Sequence, residues 1–337
     1  MREQLMISWL QTVLGPGWRW EPLAGDASFR RYMRVYQGVR TWVLMDAPPE
    51  QESTVAFERV AQMLSASAMR VPRIEAADRE QGFLLLSDLG DELFLGVLDE
   101  RTADVLYGRA MQALVSVQRD VPCDNLPVYD GARLRDELTL FPQWFLNVHL
   151  RYEPTLTQTR ELEEVFEVLE QAALAQPAYF VHRDYHSRNL LVCGDALGVV
   201  DFQDAVCGPV TYDLVSLLRD VYIAWPDEAV ARWAEQYRVA ACKAGLLDAD
   251  SAQFRRWFDL MGVQRHLKVA GIFARLFHRD AKPAYLPDLP LTLRYLRAVA
   301  VRYPELRPLE ELFFSLGDAM ADDRLVARVS HRRGTRE

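Results

Sequence analysis

One stretch constrains this chain more than any other. It runs from Tyr179 to Asp204: Tyr-Phe-Val-His-Arg-Asp-Tyr-His-Ser-Arg-Asn-Leu-Leu-Val-Cys-Gly-Asp-Ala-Leu-Gly-Val-Val-Asp-Phe-Gln-Asp. His182-x-Asp184 is followed by Asn189, five residues after the Asp. Leu190–Cys193 and Gly198–Val200 are short apolar runs on either side of Gly194-Asp195, which reads as strand, tight turn and returning strand. Asp201 ends the second strand. A loop with a carboxylate and an amide is thus followed by a hairpin that returns a second carboxylate. His-x-Asp alone is a common tripeptide, and Asp and Asn are ordinary turn residues. The order Asp-x₄-Asn, apolar hairpin, Asp-Phe is what carries information.

Three oxygen donors brought to one point suit phosphoryl transfer. That reaction asks little covalent chemistry of a protein; it needs Mg²⁺ on the phosphate oxygens and a base to orient the attacking hydroxyl. Mg²⁺ takes a few hard oxygen ligands and keeps several waters, so Asn189 and Asp201 suffice as metal ligands. Asp184 is then the base. No Gly-Lys-Ser/Thr occurs anywhere, which excludes a Walker-A loop. After Asp201-Phe202-Gln203 the next helix begins around Thr211, leaving no activation loop or Ala-Pro-Glu platform for a peptide. The expected substrate is small.

Upstream, Met6, Leu10, Val13 and Leu14 fall at helical spacing, which predicts a docked amphipathic helix. Trp18–Ala24, Phe29–Tyr36 and Thr41–Asp46 read as three strands joined by tight turns, and a helix with Val55, Val60, Met63 and Leu64 follows. Arg73–Ala77 and Gly82–Leu86 fit two more strands. From about Asp91 the pattern is helical except at 179–201. The expected fold is α+β, with a small antiparallel-sheet lobe over residues 1–89 and a larger helical lobe over 90–337.

Here the chain resembles the aminoglycoside phosphotransferase and choline kinase superfamily, whose loop reads His-x-Asp-x₄-Asn ahead of a strand ending in Asp-Phe or Asp-Trp. Gly208-Pro209 and Tyr212-Asp213-Leu214 extend the match. The resemblance implies a two-lobed, protein-kinase-like fold with ATP and Mg²⁺ as cofactors. It puts the base, the metal-binding Asn and the metal-binding Asp on Asp184, Asn189 and Asp201, and it implies that Asp213 ties its helix to the catalytic loop. His182 is expected to pack under that loop. Gly25-Asp-Ala-Ser28 stands where a phosphate-covering loop belongs, with Ser28 as a donor, and Ser87-Asp88-Leu89 would offer hinge backbone groups to adenine. The third strand should carry a lysine, but the only lysines are Lys243, Lys268 and Lys282. Arg30, Arg31 and Arg34 are the candidate replacements. Alternation places Arg31 on the face of Met33 and Val35, and Arg31 is preferred on that ground. For the acidic partner on the following helix, Glu58 is the nearest candidate.

A closer resemblance is to the bacterial anomeric kinases of cell-wall sugars. It rests on Gly25-Asp-Ala-Ser-Phe-Arg-Arg-Tyr32, Met45-Asp-Ala-Pro-Pro49, Asp201-Phe-Gln-Asp-Ala205, Ser216-Leu-Leu-Arg-Asp220 and His266-Leu-Lys-Val-Ala-Gly-Ile-Phe-Ala-Arg-Leu276. It implies phosphorylation of the anomeric hydroxyl of N-acetylmuramate and N-acetylglucosamine during cell-wall recycling. Charge agrees with an acidic sugar: residues 255–297 hold nine Lys/Arg and three acids within a chain of net charge −9. Arg265, His266 and Arg275 are candidate substrate contacts, and Asp204 and Asp220 candidate hydroxyl acceptors. Two alternatives stay open: a kinase for another small molecule such as an aminoglycoside or choline-like amine, and a nucleotide-binding pseudokinase. The net negative charge argues against nucleic-acid and anionic-membrane partners, and no obligate protein partner is evident. No apolar run approaches the ~18 residues of a membrane span, and the four cysteines are scattered, which together point to the reducing cytoplasm.

Overall fold

The computed structural model describes residues 1–23, 29–67 and 69–326. Ser28 and the rest of the expected phosphate loop lie outside the described residues. In chain order the first elements are α1 (Arg2–Leu14), β1 (Arg19–Pro22), β2 (Arg31–Gln37), β3 (Arg40–Asp46), α2 (Val55–Leu64), β4 (Met69–Arg70), β5 (Ile74–Asp78), β6 (Phe83–Ser87) and α3 (Phe94–Val97). Then come α4 (Ala103–Asp120), α5 (Gly131–Leu138), a π-helical stretch (Phe141–Leu150), α6 (Leu156–Leu174), β7 (Ala178–Val181), β8 (Leu190–Cys193), β9 (Ala196–Val199) and β10 (Val206–Pro209). The remainder is α7 (Tyr212–Leu218), α8 (Asp227–Lys243), α9 (Ser251–His278), α10 (Leu289–Ala300), α11 (Arg307–Leu316) and α12 (Asp322–Val326).

The chain forms two compact units, Met1–Thr102 with Arg188–Ala205, and Ala103–Ser187 with Val206–Glu337. This differs from a single boundary at 89/90. Residues 188–205 join the first unit because β9 pairs in parallel with β4, and because Val192 N donates to the Glu92 carbonyl.

In the first unit, β1-β2-β3-β6-β5 make an antiparallel five-stranded sheet. Alternation puts Met33, Val35, Leu44, Phe83 and Leu85 on one face, where they are buried with Met6 and Leu10 of α1. The first helix is therefore docked as its spacing predicts. On α2, Phe57, Val60, Ala61 and Leu64 are buried.

The second unit is helical around α9, whose 28 residues span about 42 Å at the α-helical rise. Nearly every side chain from Trp257 to Ala274 is buried, so α9 is enclosed on all sides instead of presenting one apolar stripe. Gly271 permits the closest approach: a Cβ there would lie 2.4 Å from the Leu140 backbone, at the start of the π-helical stretch. The segment after α4 runs beside β10, with Tyr129 N donating to the Cys207 carbonyl at 2.8 Å. That path joins Cys123 to Cys207 in a disulfide, 84 residues apart in sequence. The scattered spacing gave no sign of this pair.

Candidate active site

In the second unit, the loop 182–187 leaves β7 and carries Asp184. Its backbone is held by two buried carboxylates. Asp213, in the first turn of α7, accepts from His182 N at 2.6 Å and Arg183 N at 3.0 Å. This is the tie that the resemblance implied. Asp220 accepts from Ser187 N at 2.9 Å and Tyr222 N at 3.0 Å. His182 is buried, and its Nδ1 accepts from Asp184 N at 3.2 Å. Arg183 takes the left-handed conformation, φ 77°, in which a non-glycine residue stays only when its surroundings fix it. Burial pushes the Asp213 carboxyl up to about 7. Burial also opposes the charge of Asp184, but Lys268, His186, Arg265 and Arg183 hold its carboxyl below the ordinary range.

Asn189 and Asp201 belong to the first unit. The Asn189 carbonyl accepts from Val200 N at 3.1 Å, so the β8–β9 hairpin returns Asp201 beside the amide. Asn189 Nδ2 lies 3.5 Å from Asp201 Oδ2. Gln203, which stands where protein kinases have glycine, donates to Asp201 Oδ1 at 2.8 Å. Asp201 has φ 64°, and Phe202 beside it is fully buried with its ring 4.8 Å from that of Phe57. A carboxylate and an amide side by side, both hard oxygen donors, fit a magnesium ion that completes its sphere with phosphate and water.

The arginine next to this pair is Arg30, not Arg31. Alternation was applied correctly, but the face of Met33 and Val35 is the one α1 covers. Arg31 therefore points toward α1, where it shares buried Asp46 with Arg2. Arg30 is buried and bonded to Glu52 at 2.7 Å; burial works against its charge, which Tyr32, Glu52, Asp204 and Asp201 stabilise. Glu58, the expected acidic partner, is instead paired with Arg79 at 2.6 Å. Arg34 closes the hinge segment, bonding Asp88, Asp91 and the Gly90 carbonyl. The Leu89 carbonyl accepts from the Cys193 thiol at 3.2 Å.

The five expected substrate contacts lie in different local settings. Asp204 is exposed. Asp220 is spent on the two backbone amides. His266 is buried, its Nε2 3.0 Å from the Arg219 carbonyl and its ring stacked on Tyr295; burial presses its pKa down to about 3, so it is neutral. Arg265 is buried and donates to Ser216 Oγ, which in turn donates to the Arg183 carbonyl at 3.3 Å. Arg275 lies ten residues further along α9, about 15 Å away and roughly 80° round the helix, so it cannot work with Arg265. Glu137 and Gln203 gave no signal in the sequence. Lys268 did, as one of three lysines and a member of the cationic stretch.

A carboxylate on a pinned loop, with a second carboxylate and an amide returned by a hairpin, is the residue set of a kinase-like phosphotransferase. The profile of the phosphotransferase enzyme family matches residues 19–257, and the chain belongs to that family. It is 48% identical over 296 residues, 88% of either chain, to an N-acetylmuramate/N-acetylglucosamine kinase of Pseudomonas aeruginosa. A protein of the same name from Neisseria meningitidis is 41% identical over 324 residues, 94% of this chain and 96% of that one. Among solved structures, an ADP-bound aminoglycoside phosphotransferase superposes with a TM-score of 0.56 at 13% identity, covering 88% of this chain and 98% of the other, a likeness of fold. Among the described residues, no helix is long and apolar enough to cross a membrane.

Proposed function

We propose that this chain transfers the γ-phosphoryl group of ATP to the anomeric hydroxyl of N-acetylmuramate and N-acetylglucosamine. The observation that carries this reading is the likeness, over nearly the whole chain, to relatives of that name, together with the complete set Asp184, Asn189 and Asp201. Asp184 accepts the hydroxyl proton as the sugar oxygen bonds to phosphorus and the bond to ADP breaks. Mg²⁺ held by Asn189 and Asp201 would neutralise phosphate charge. Gln203 and the hairpin keep Asp201 aimed. Arg30 takes the part of the missing lysine, holding phosphate oxygens with a group that stays charged. We assign Ser28 to the phosphates, the backbone of Asp88 and Leu89 to adenine, and Asp204 to a sugar hydroxyl. The cytoplasm, where ATP is plentiful, is the proposed site of action.

A pseudokinase needs none of these three oxygen donors, which favours the enzyme. The test is magnesium-dependent ADP release with N-acetylmuramate, N-acetylglucosamine, choline and kanamycin offered separately, and with Asp184→Asn alongside. Turnover of the two sugars to an acid-labile sugar 1-phosphate, lost in Asp184→Asn with ATP binding kept, is the expected result. Turnover with a cation alone would refute the substrate, and near-normal rates in the variant would refute the base.

A further inference from the structure

Beneath the loop that carries Asp184 lies a buried charge cluster that phosphoryl transfer does not itself require. Glu137, near the end of α5, is paired with Arg183 and, at 3.1 Å, with Lys268 Nζ. Lys268 also donates to the Tyr212 hydroxyl at 3.0 Å, and the Tyr129 hydroxyl donates to Glu137. Glu137 and Lys268 are both less than a tenth exposed. Removing one member of such a cluster strands a buried charge, so its geometry is strongly fixed. Arg183, the residue before Asp184, is therefore anchored three ways: its side chain by Glu137, its amide by Asp213 and its carbonyl by Ser216. Those anchors account for its left-handed backbone.

We infer that Glu137 and Lys268 are positioning residues for the reaction: with the half-buried Arg183 they form a triad that aims Asp184 and fixes the balance of charge around it. The inference rests on the reading of Asp184 as base. The groups facing Asp184 are His186 and Arg183 on its own loop, Asp213 on α7, and Lys268 and Arg265 on α9, with Tyr212 on α7 beside Lys268 and Glu137 on α5 paired with Lys268 and Arg183. Lys268 leads the cations that oppose the effect of burial on Asp184. Glu137 offsets part of that positive charge; burial works against its ionisation, but Lys268 and Arg183 keep it ionised. A triad that only stabilised the fold would have no link to the protonation of the base.

The experiment measures kcat and KM of the full chain with ATP and N-acetylglucosamine from pH 5 to 8, each variant expressed as a ratio to wild type at the same pH. Losing one close cation raises a carboxylate pKa by about one to three units. Lys268→Met should therefore lose kcat progressively toward pH 5, roughly twofold or more beyond its deficit at pH 8, with the sugar KM within about twofold of wild type. Lys268→Arg keeps the charge and should keep a flat ratio. Adding Glu137→Gln to Lys268→Met removes the opposing charge and should flatten the ratio again. A flat ratio in Lys268→Met, or a double variant more acid-sensitive than the single, would overturn the inference. If Lys268→Met does not fold, Glu137→Gln alone decides. It should lower kcat about tenfold at unchanged KM with no acid sensitivity, and wild-type kcat would refute the role. Near-normal turnover by Asp184→Asn identifies failure of the base reading itself.

Discussion

Replacing Asp220 separates the two roles open to it, substrate acceptor and loop anchor. Its carboxylate accepts from Ser187 N at 2.9 Å and Tyr222 N at 3.0 Å, and the residue is 2% exposed. Asp220→Ala removes both acceptors and leaves two amides without a partner. A hydrogen bond to a charged group contributes about 1.5–3 kcal/mol, and an orphaned buried donor costs about as much. Two of them put the loss at roughly 3–6 kcal/mol, a large part of the ~5–15 kcal/mol that holds a folded chain together. Asp220→Asn keeps one acceptor oxygen and should lose about half as much. The assay is urea unfolding followed by tryptophan fluorescence, with the midpoint read at constant slope so that a stability change is not confused with a changed denatured state. Because Ser187 closes the loop that carries Asp184, kcat should fall while the sugar KM stays near wild type. If Asp220→Ala unfolds at the wild-type midpoint and raises only the sugar KM, Asp220 is a substrate contact and the anchoring argument is wrong.

Two further outcomes follow from the same geometry. Arg30→Ala should raise the KM for ATP roughly tenfold or more, the scale of one charge-assisted hydrogen bond, whereas Arg31→Ala, which disturbs only the Asp46 pair, should leave it within about twofold; the reverse ranking would restore Arg31. Asp213 has a folded pKa raised by burial to about 7, against an ordinary value near 4. The folded state thus holds a proton that the unfolded chain has lost, and the stabilisation from that proton, complete below about pH 4, disappears as pH rises through 7. The stability advantage of wild type over Asp213→Asn should shrink by up to about 1.4 kcal/mol per pH unit over that window and level off above it. An advantage that stays constant over that window would mean the carboxylate is ionised throughout it.

The sheet and the hairpin could be read closely because their cues are local. Alternating apolar residues in β2, the short continuous apolar runs of β3 and β6, and the Gly194 turn between β8 and β9 define strands without reference to the rest of the chain. The catalytic spacing is legible for the same reason, since Asp184, Asn189 and Asp201 lie within one short stretch. The preference for Arg31 met a different kind of gap, since the structure pairs Arg31 with Asp46. Alternation says which residues share a face, but which face looks toward the nucleotide depends on where α1 docks, and nothing in β2 encodes that. The disulfide likewise depends on the path of 123–129 along β10, fixed by backbone pairing between distant segments.

The cationic stretch 255–297 shows most clearly why substrate contacts were harder to read than catalytic ones. A half-buried helix reveals its inward face as an apolar stripe, so a basic residue off the stripe reads as solvated or ligand-facing. Enclosed on every side, α9 has no such stripe, and its composition cannot say which charges point inward. The flanking residues Arg255, Arg256 and Arg279 are exposed and lie beside acids, as an ordinary surface would have them. Arg265, His266 and Lys268 sit in the enclosed middle, where an unpaired charge would be prohibitive. Their partners come from far along the chain: Ser216 for Arg265, the Arg219 carbonyl for His266, and Glu137 and Tyr212 for Lys268. The excess of positive charge that suggested an acidic sugar is thus, in its central part, directed at the loop bearing Asp184. Substituting any of these three should therefore change turnover before it changes the preference between a carboxylated and an uncarboxylated sugar, and an altered preference at wild-type turnover would restore them as substrate contacts.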